Sequence, residues 1–192
     1  NASVEIEPET LSDLEIITGT FNAEYGKAMS GVVNQITKDG DNFFDSNFSI
    51  NQSNYLTQNN NIFPGITNFD LNLNQDYKFQ ISGPIIKDVL TFFTNLRSQD
   101  NLNHLNGYHY FNVTDSSDFS QDNSNDWYSE HSGTNNIIPM NYSINNSLFL
   151  KLTFKPLSKF KISFIASDNN DEWHSYDHAY KYNPYGMNHE SR

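Results

Sequence analysis

Histidine side chains are the first candidates for metal chemistry in this 192-residue chain. His174 and His178 lie four residues apart, a spacing that occurs between metal ligands on a helix. Trp173, Tyr176 and Asp177 surround them, but the sequence offers no third ligand near by. We therefore predict no metal and no cofactor, and expect all six histidines in exposed polar loops. They are His104, His109, His131, His174, His178 and His189.

Carboxylates are numerous, but their spacing does not define a catalytic site. Nothing fixes two of Asp115, Asp118, Asp122 and Asp126 at the separation that a glycosidase needs. The run D-N-N-D-E at 168–172 is rich in oxygen ligands but lacks the glycine of an EF-hand loop and the spacing of its terminal glutamate. No G-x-S-x-G elbow and no cysteine occur, so serine and cysteine nucleophiles have no motif. We predict solvated acidic loops, no catalytic residue and no enzymatic activity.

Aromatic side chains in polar segments are better candidates for ligand contact. Tyrosine and tryptophan combine an apolar ring with a polar tip, which suits capture of a ligand from water. Packing of one loop on another is an equally good explanation of these residues. The candidates are Tyr108, Tyr110, Trp127, Tyr128, Trp173 and Tyr176.

Alternating strands are the elements that must position these loops. Apolar and polar residues alternate with period two, which predicts strands with one apolar and one polar face. The predicted strands cover residues 44–51, 69–85, 89–100, 141–156 and 160–167. A polar segment before the first of them contains one expected helical turn, over Pro8–Asp13.

The connections between the strands alternate in length. Long loops are predicted at about 53–67, 101–140 and 168–192, and short turns at 86–88 and 156–158. Short turns on one side and long loops on the other are typical of outer-membrane β-barrels. Phe92, Phe93 and Phe160 lie beside the short turns, where we expect an aromatic girdle. Alternation alone is equally compatible with a soluble sandwich whose apolar faces pack together.

Composition narrows the class of protein. The mean hydropathy is −0.67 while aromatic residues make up 15%, a mixture that suits a barrel with an apolar outside and a wet interior. The formal net charge of −12 argues against a nucleic-acid partner. The chain begins at Asn1, and we expect it to be an internal part of a longer protein.

Residues 14–40, a stretch that contains four glycines, carry the most specific motif of the sequence. It predicts a strand at Leu14–Ile17, a short helix at 21–25 and a strand at Val32–Thr37. Glycines provide the turns between them, because glycine adopts positive φ without a steric penalty. The motif residues are Glu15, Ile16, Ile17, Gly19, Ala23, Glu24, Tyr25, Gly26, Gly31, Val32, Asn34, Thr37, Lys38 and Gly40.

This stretch resembles the end of the plug domain of TonB-dependent outer-membrane receptors. The variant F-N-A-E-Y-G at 21–26 is similar to the Oar-like branch of Bacteroidota type, in which a carboxypeptidase-regulatory-like domain precedes the plug. A second segment, S-G-P-I-I-K-D at 82–88, resembles an early barrel hairpin of the same receptors. The resemblance is strongest over residues 14–40 and 81–97.

The resemblance implies a mostly β fold in two parts. Residues 1–40 would be the C-terminal part of the plug, and residues 41–192 about the first five strands of a transmembrane barrel. Gly19, Gly26 and Gly31 would be structural turns, and Glu24, Tyr25, Asn34 and Thr37 contacts within the plug or to the barrel wall. The implied function is import of an extracellular nutrient ligand of unknown class across a Gram-negative outer membrane. The implied partners are outer-membrane lipid, that ligand and TonB, which would act through a segment outside this chain.

Two other classes remain open from the residues alone. One is a soluble or surface β-sheet adhesion module that recognises a glycan or a protein through aromatic loops. The other is a secreted β-rich hydrolase, which requires carboxylates that converge at one edge of a sheet.

Overall fold

The protein is mostly β and its strands pair in antiparallel sheets, which confirms the predicted fold class. A computed structural model describes residues 7–17, 32–66, 69–187 and 190–191. The predicted short helix at 21–25 lies outside these residues, as do the candidates Gly19, Glu24, Tyr25, Gly26 and Gly31. No helix in the described part of the chain is long and apolar enough to cross a membrane.

Twelve strands are present in the described ranges. They are β1 (Leu11–Ile17), β2 (Val32–Thr37), β3 (Asp45–Ser53), β4 (Asn74–Ile86), β5 (Leu90–Asn101), β6 (Asn106–Tyr108), β7 (Ser117–Asp118), β8 (Tyr128–Ser129), β9 (Ile137–Pro139), β10 (Tyr142–Leu157), β11 (Phe160–His174) and β12 (Glu190–Ser191). Short 3₁₀ turns cover Pro8–Thr10, Ser124–Asp126, His178–Tyr180 and Pro184–Gly186.

The largest sheet has six strands in the order β12-β11-β10-β5-β4-β3. Neighbours in this sheet are mostly neighbours in sequence, and tight turns join β4 to β5 and β10 to β11. The turn between β4 and β5 closes with the Val89 amide donating to the Ile86 carbonyl at 3.1 Å, and Asp88 takes a positive φ of 62°. Aspartate tolerates this conformation better than most residues, which explains why it occupies the turn.

The segment before the large sheet forms a separate antiparallel pair. Strand β2 has its predicted bounds, whereas β1 begins at Leu11 rather than at Leu14. The predicted helical turn is a 3₁₀ turn that ends at Thr10, whose hydroxyl donates to the Glu7 carbonyl at 2.7 Å. In the β1–β2 register, Glu15 lies opposite Asn34.

Two sequence predictions about strand ends are wrong. Residues 69–73 do not extend β4, because the Asp70 carboxylate accepts the Asn72 amide at 2.8 Å and its carbonyl accepts the Leu73 amide at 3.2 Å. These local hydrogen bonds form a turn that competes with the strand. Residues 168–174, predicted as loop, continue β11. Cross-strand polar pairs hold this extension, since the Asp171 and Glu172 carboxylates accept hydrogen bonds from Asn145 and Tyr142 of β10.

The long segment 101–140 lacks a sustained period but is not without structure. It contains two small ribbons, β6 with β9 and β7 with β8. Too few residues alternate in them to produce a sequence signal, so their pairing depends on interactions between distant residues.

The chain divides into two compact units. Unit 1 is 1–49, 78–97 and 147–169; unit 2 is 50–77, 98–146 and 170–192. Unit 1 contains both short turns and the β1–β2 pair, and its buried apolar centre is Phe93 edge-on to Phe149, with ring centroids 6.0 Å apart. Unit 2 contains the long connections and buries Ile66 and Met140. The sequence division at residue 40 stays a prediction.

Candidate functional site

Polar side chains on the strands of unit 1 hold the segment around the β1–β2 pair. Three carboxylates of that segment, Glu7, Glu9 and Asp39, are bound by basic side chains of β4, β5, β10 and β11. We call these three residues the carboxylate anchors. Each anchor uses a different strand or pair of strands.

Glu7 is anchored to β5 and β10. The guanidinium Nη1 of Arg97 lies 2.9 Å from one carboxylate oxygen and 3.3 Å from the other. The Ser147 hydroxyl donates to the same carboxylate at 3.3 Å. Both ends of the ion pair are largely shielded from water, which strengthens their attraction relative to a surface pair.

Glu9 is anchored to β4. Lys78 forms an ion pair with its carboxylate, and the Gln80 side-chain amide donates to its backbone carbonyl at 3.0 Å. The hydrogen bond from Lys78 lowers the pKa of Glu9 below its ordinary value, although partial burial opposes the shift.

Asp39 joins β10 and β11. Its carboxylate lies 2.8 Å from the Lys151 ammonium and 2.5 Å from the Lys161 ammonium, and it accepts the Thr153 hydroxyl at 3.1 Å. Burial raises the pKa of Asp39, but hydrogen bonds and charges from Lys151 and Lys161 outweigh burial and lower the pKa to about 2. Asp39 is therefore ionised at neutral pH and neutralises two cations.

The buried Lys151 ammonium also contacts the end of β2. It donates to the Thr37 carbonyl at 3.0 Å and to the Thr37 hydroxyl at 2.8 Å. Thr37 is one of the motif residues proposed from the sequence, and the structure places it against β10. Asn34, another of them, is exposed in β2, with its side-chain amide 3.5 Å from the Glu15 carboxylate.

Several strand residues of unit 1 have an exposure opposite to that expected in a water-soluble domain. On β10, Lys151 is only 6% exposed and Thr153 only 1%. By contrast, apolar residues on other strands are open to solvent: Phe48 of β3 is 63% exposed and Phe164 of β11 is 60% exposed. Other exposed apolar residues of the unit include Phe44, Phe79, Ile85, Leu96, Leu148, Phe154, Phe160 and Ile162. The expected aromatic girdle is wrong for Phe93, because this ring is buried against Phe149.

The loop aromatics that the sequence singled out pack against several different neighbours in unit 2. Tyr108 stacks on Tyr182, Tyr110 stacks on His131, and Trp127 meets Phe119 edge-on. Tyr128 is exposed in β8, and Trp173 lies in β11. The Tyr176 hydroxyl forms a hydrogen bond with His178 Nδ1 at 2.8 Å. Packing within the loops accounts for several of these rings.

The histidine prediction needs correction. His174 is a buried residue at the end of β11, stacked on Tyr142, with Nδ1 2.7 Å from the Met140 carbonyl oxygen. His109 is also buried, and its two ring nitrogens lie within hydrogen-bonding distance of Thr134 and Asn112. Within the described ranges, no group of three or more His, Asp or Glu side chains could hold a metal ion.

The sequence itself shows basic residues on the strands, but it does not show their acidic partners. Lys78, Arg97 and Lys151 lie among mostly uncharged residues in β4, β5 and β10, which is a signal that each needs a counter-ion. The three carboxylate anchors lie far away in sequence, and nothing local pairs them. Comparison with protein-family models, curated proteins and solved structures gave no match.

Proposed function

We propose that this chain is part of a TonB-dependent outer-membrane transporter, comprising the end of the plug and the first barrel strands. The transporter would bind an extracellular nutrient ligand and import it into the periplasm when TonB drives rearrangement of the plug. The observation that carries the proposal is the polarity of the strands in unit 1, where Lys151 and Thr153 are buried while phenylalanines such as Phe48 and Phe164 are exposed.

Lipid is the solvent that makes this distribution favourable. A soluble protein rarely leaves so continuous an apolar surface open to water. In a membrane barrel, alternate residues face lipid and the others face a polar interior. The strands β4, β5, β10 and β11 have 13, 12, 16 and 15 residues, more than the about 9–11 residues that a tilted strand needs to cross a bilayer.

The carboxylate anchors support the assignment of residues 7–17 and 32–40 to a plug. Ion pairs and hydrogen bonds, rather than an extensive apolar interface, hold these residues to the strands. Such contacts can be exchanged for water when the segment moves, so the segment can be both well placed and displaceable. No bond is made or broken in this function, and we assign no catalytic residue.

The proposal places the protein in a Gram-negative outer membrane. Its partners would be outer-membrane lipid, TonB acting through a segment outside this chain, and the extracellular ligand.

Site-directed labelling tests the proposal, because the chain contains no cysteine. Phe164→Cys and Val113→Cys would be made separately in the gene product that contains this chain. Both wild-type side chains are exposed, at 60% and 66%, so exposure is matched. We expect a membrane-impermeant maleimide to label only the Val113→Cys variant, and a lipid-soluble maleimide to label the Phe164→Cys variant in isolated outer membranes.

Efficient labelling of both cysteines by the water-soluble reagent, with the protein in a soluble fraction, would overturn the transporter assignment. That result would favour the alternative of a soluble β-sheet binding module.

A further inference from the structure

An apolar cavity of about 300 Å³ lies in unit 2. It is formed where β9, β10 and β11 come together with the 3₁₀ turn at Pro184–Gly186. Its volume is at the small end of ligand sites, large enough for one ring or a branched chain. The apolar lining includes Leu102, Ile138, Met140, Ile144, Pro184 and Tyr185.

Glu172 is the acidic residue of this lining. Its carboxylate accepts the Tyr142 hydroxyl at 2.9 Å. Tyr142 in turn stacks on His174, with ring centroids 5.4 Å apart and planes 7° from parallel. An ionised carboxylate has about four acceptor positions, so the Tyr142 hydrogen bond leaves capacity for a further donor. The packed tyrosine also fixes the carboxylate in place.

The charge of unit 2 determines which donor the site would attract. The unit contains twelve Asp and Glu against two Lys and Arg, a formal net charge of −10. Unit 1 contains eleven and nine, a net charge of −2. No Lys or Arg occurs between Arg97 and Lys151, and none lines the cavity. A surface of this sign concentrates cations and repels anions.

We propose that this cavity binds the apolar body of an organic cation, an alkyl- or arylammonium group, with Glu172 as its counter-ion. The apolar walls accept the hydrocarbon part, and the aromatic rings of Tyr142 and Tyr185 belong to the lining, where a ring can add cation–π attraction. The proposal concerns unit 2 alone and does not depend on whether the strands of unit 1 lie in lipid.

The test uses three probes of similar size that differ in charge. They are 2-phenylethylammonium, 2-phenylethanol and 3-phenylpropanoate, titrated by NMR into the purified gene product in detergent. We expect the ammonium probe to bind at least about tenfold more tightly than the alcohol, since an ion pair in a low-dielectric site is worth roughly 1.4 kcal/mol or more. We expect the anionic probe to bind most weakly.

Three variants locate the site. Glu172→Gln keeps an acceptor for Tyr142 and removes the negative charge. It should therefore weaken binding of the ammonium probe about tenfold and leave binding of the alcohol nearly unchanged. Asp122→Asn removes the same charge from an exposed position elsewhere in unit 2. It should change the affinity for neither the ammonium probe nor the alcohol by more than about twofold. Ile144→Trp fills the cavity and should weaken both probes.

Retained binding of the alcohol shows that Glu172→Gln still folds. The proposal would be overturned if the three probes bound equally well. It would also be overturned if Glu172→Gln and Asp122→Asn had equal effects, or if Ile144→Trp had no effect on binding. Absence of binding by all three probes would also overturn it and indicate that another part of the protein fills the cavity.

Discussion

Asp39 binds two cations from neighbouring strands, but the two lysines are not equivalent. Lys151 is 8% exposed at its side chain and donates to three oxygen groups, whereas the Lys161 side chain is 46% exposed. A buried ion without its partner is expensive, while a surface ion pair contributes little. The same carboxylate therefore takes part in one strong and one weak interaction.

Replacement of each lysine by methionine should separate the two contributions. We expect Lys151→Met to lower the free energy of unfolding by about 2–4 kcal/mol, because it removes the buried ammonium that the Asp39 carboxylate and the Thr37 carbonyl share. Lys161→Met should lower it by less than about 1 kcal/mol. Denaturant unfolding in micelles measures both, and equal losses would contradict the assignment of Lys151 as the principal partner.

Acidification should weaken the same contact. The pKa of Asp39 is lowered from 3.8 to about 2 by its lysine partners, so its contribution is complete above pH 4 and is lost as the pH falls from 4 to 2. The loss should be at most about 2 kcal/mol. The melting temperature, measured from pH 6 to pH 2, should fall more steeply over this window in the native protein than in Asp39→Asn.

The pKa of Glu9 is also lowered, so part of the decline in Asp39→Asn should remain and should become smaller when Glu9→Gln is added. Identical pH profiles for all three proteins would contradict the role of these carboxylates.

At the scale of elements, the turn after β4 depends on Asp88 and on its hydrogen bonds with Asn42, which also lies in unit 1. Asp88 has a φ of 62°, its amide donates to the Asn42 side-chain oxygen at 2.8 Å, and its carboxylate accepts the Asn42 side-chain amide at 2.8 Å. This reciprocal pair links the β4–β5 turn to the segment that precedes β3. The turn therefore positions β3 as well as joining two strands.

Asp88→Val should disturb this turn, because a β-branched residue opposes positive φ and valine cannot accept the Asn42 amide. We expect a loss of about 2 kcal/mol in the free energy of unfolding. Lys87→Val, at the preceding exposed position, is the matched control and should cost less than about 0.5 kcal/mol. Similar unfolding midpoints for the two variants would show that the backbone conformation at Asp88 does not limit the hairpin.

At the scale of the whole molecule, the exposed phenylalanines and the open edge of the sheet decide how the chain behaves in water. Strand β3 ends the six-stranded order, and Phe44 and Phe48 are exposed at or next to it. An edge strand with exposed apolar residues pairs readily with other chains.

We expect the 192-residue chain, expressed alone, to aggregate in buffer and to become dispersed in detergent micelles. Light scattering after size-exclusion chromatography, with and without detergent, measures this directly. Phe48→Lys and Phe164→Lys together should increase solubility in buffer if the apolar band is the cause. A stable monomer of the native chain in buffer would contradict the lipid-facing assignment.

Much of the strand architecture was determined by the sequence itself. The bounds of β2, β5 and β10 follow from alternation and turn residues to within a residue, because side-chain direction in a strand depends only on position along it. The same local rule separated the face that carries Lys151 from the face that carries Phe154. The local rule failed at 69–73, where aspartate hydrogen bonds form a turn, and at 168–174, where partners on β10 extend β11.

Only the tertiary structure decided which residues meet. Ser147 and Glu7 are 140 residues apart, and Lys151 and Thr37 are 114 apart. Neither alternation nor composition specifies pairings at such separations, because they depend on which strands are neighbours and on their register. The carboxylate anchors, the burial of His174 and the cavity beside Glu172 all arise in this way. The sequence determined that the strands would have a polar and an apolar face, and the tertiary structure decided what each face contacts.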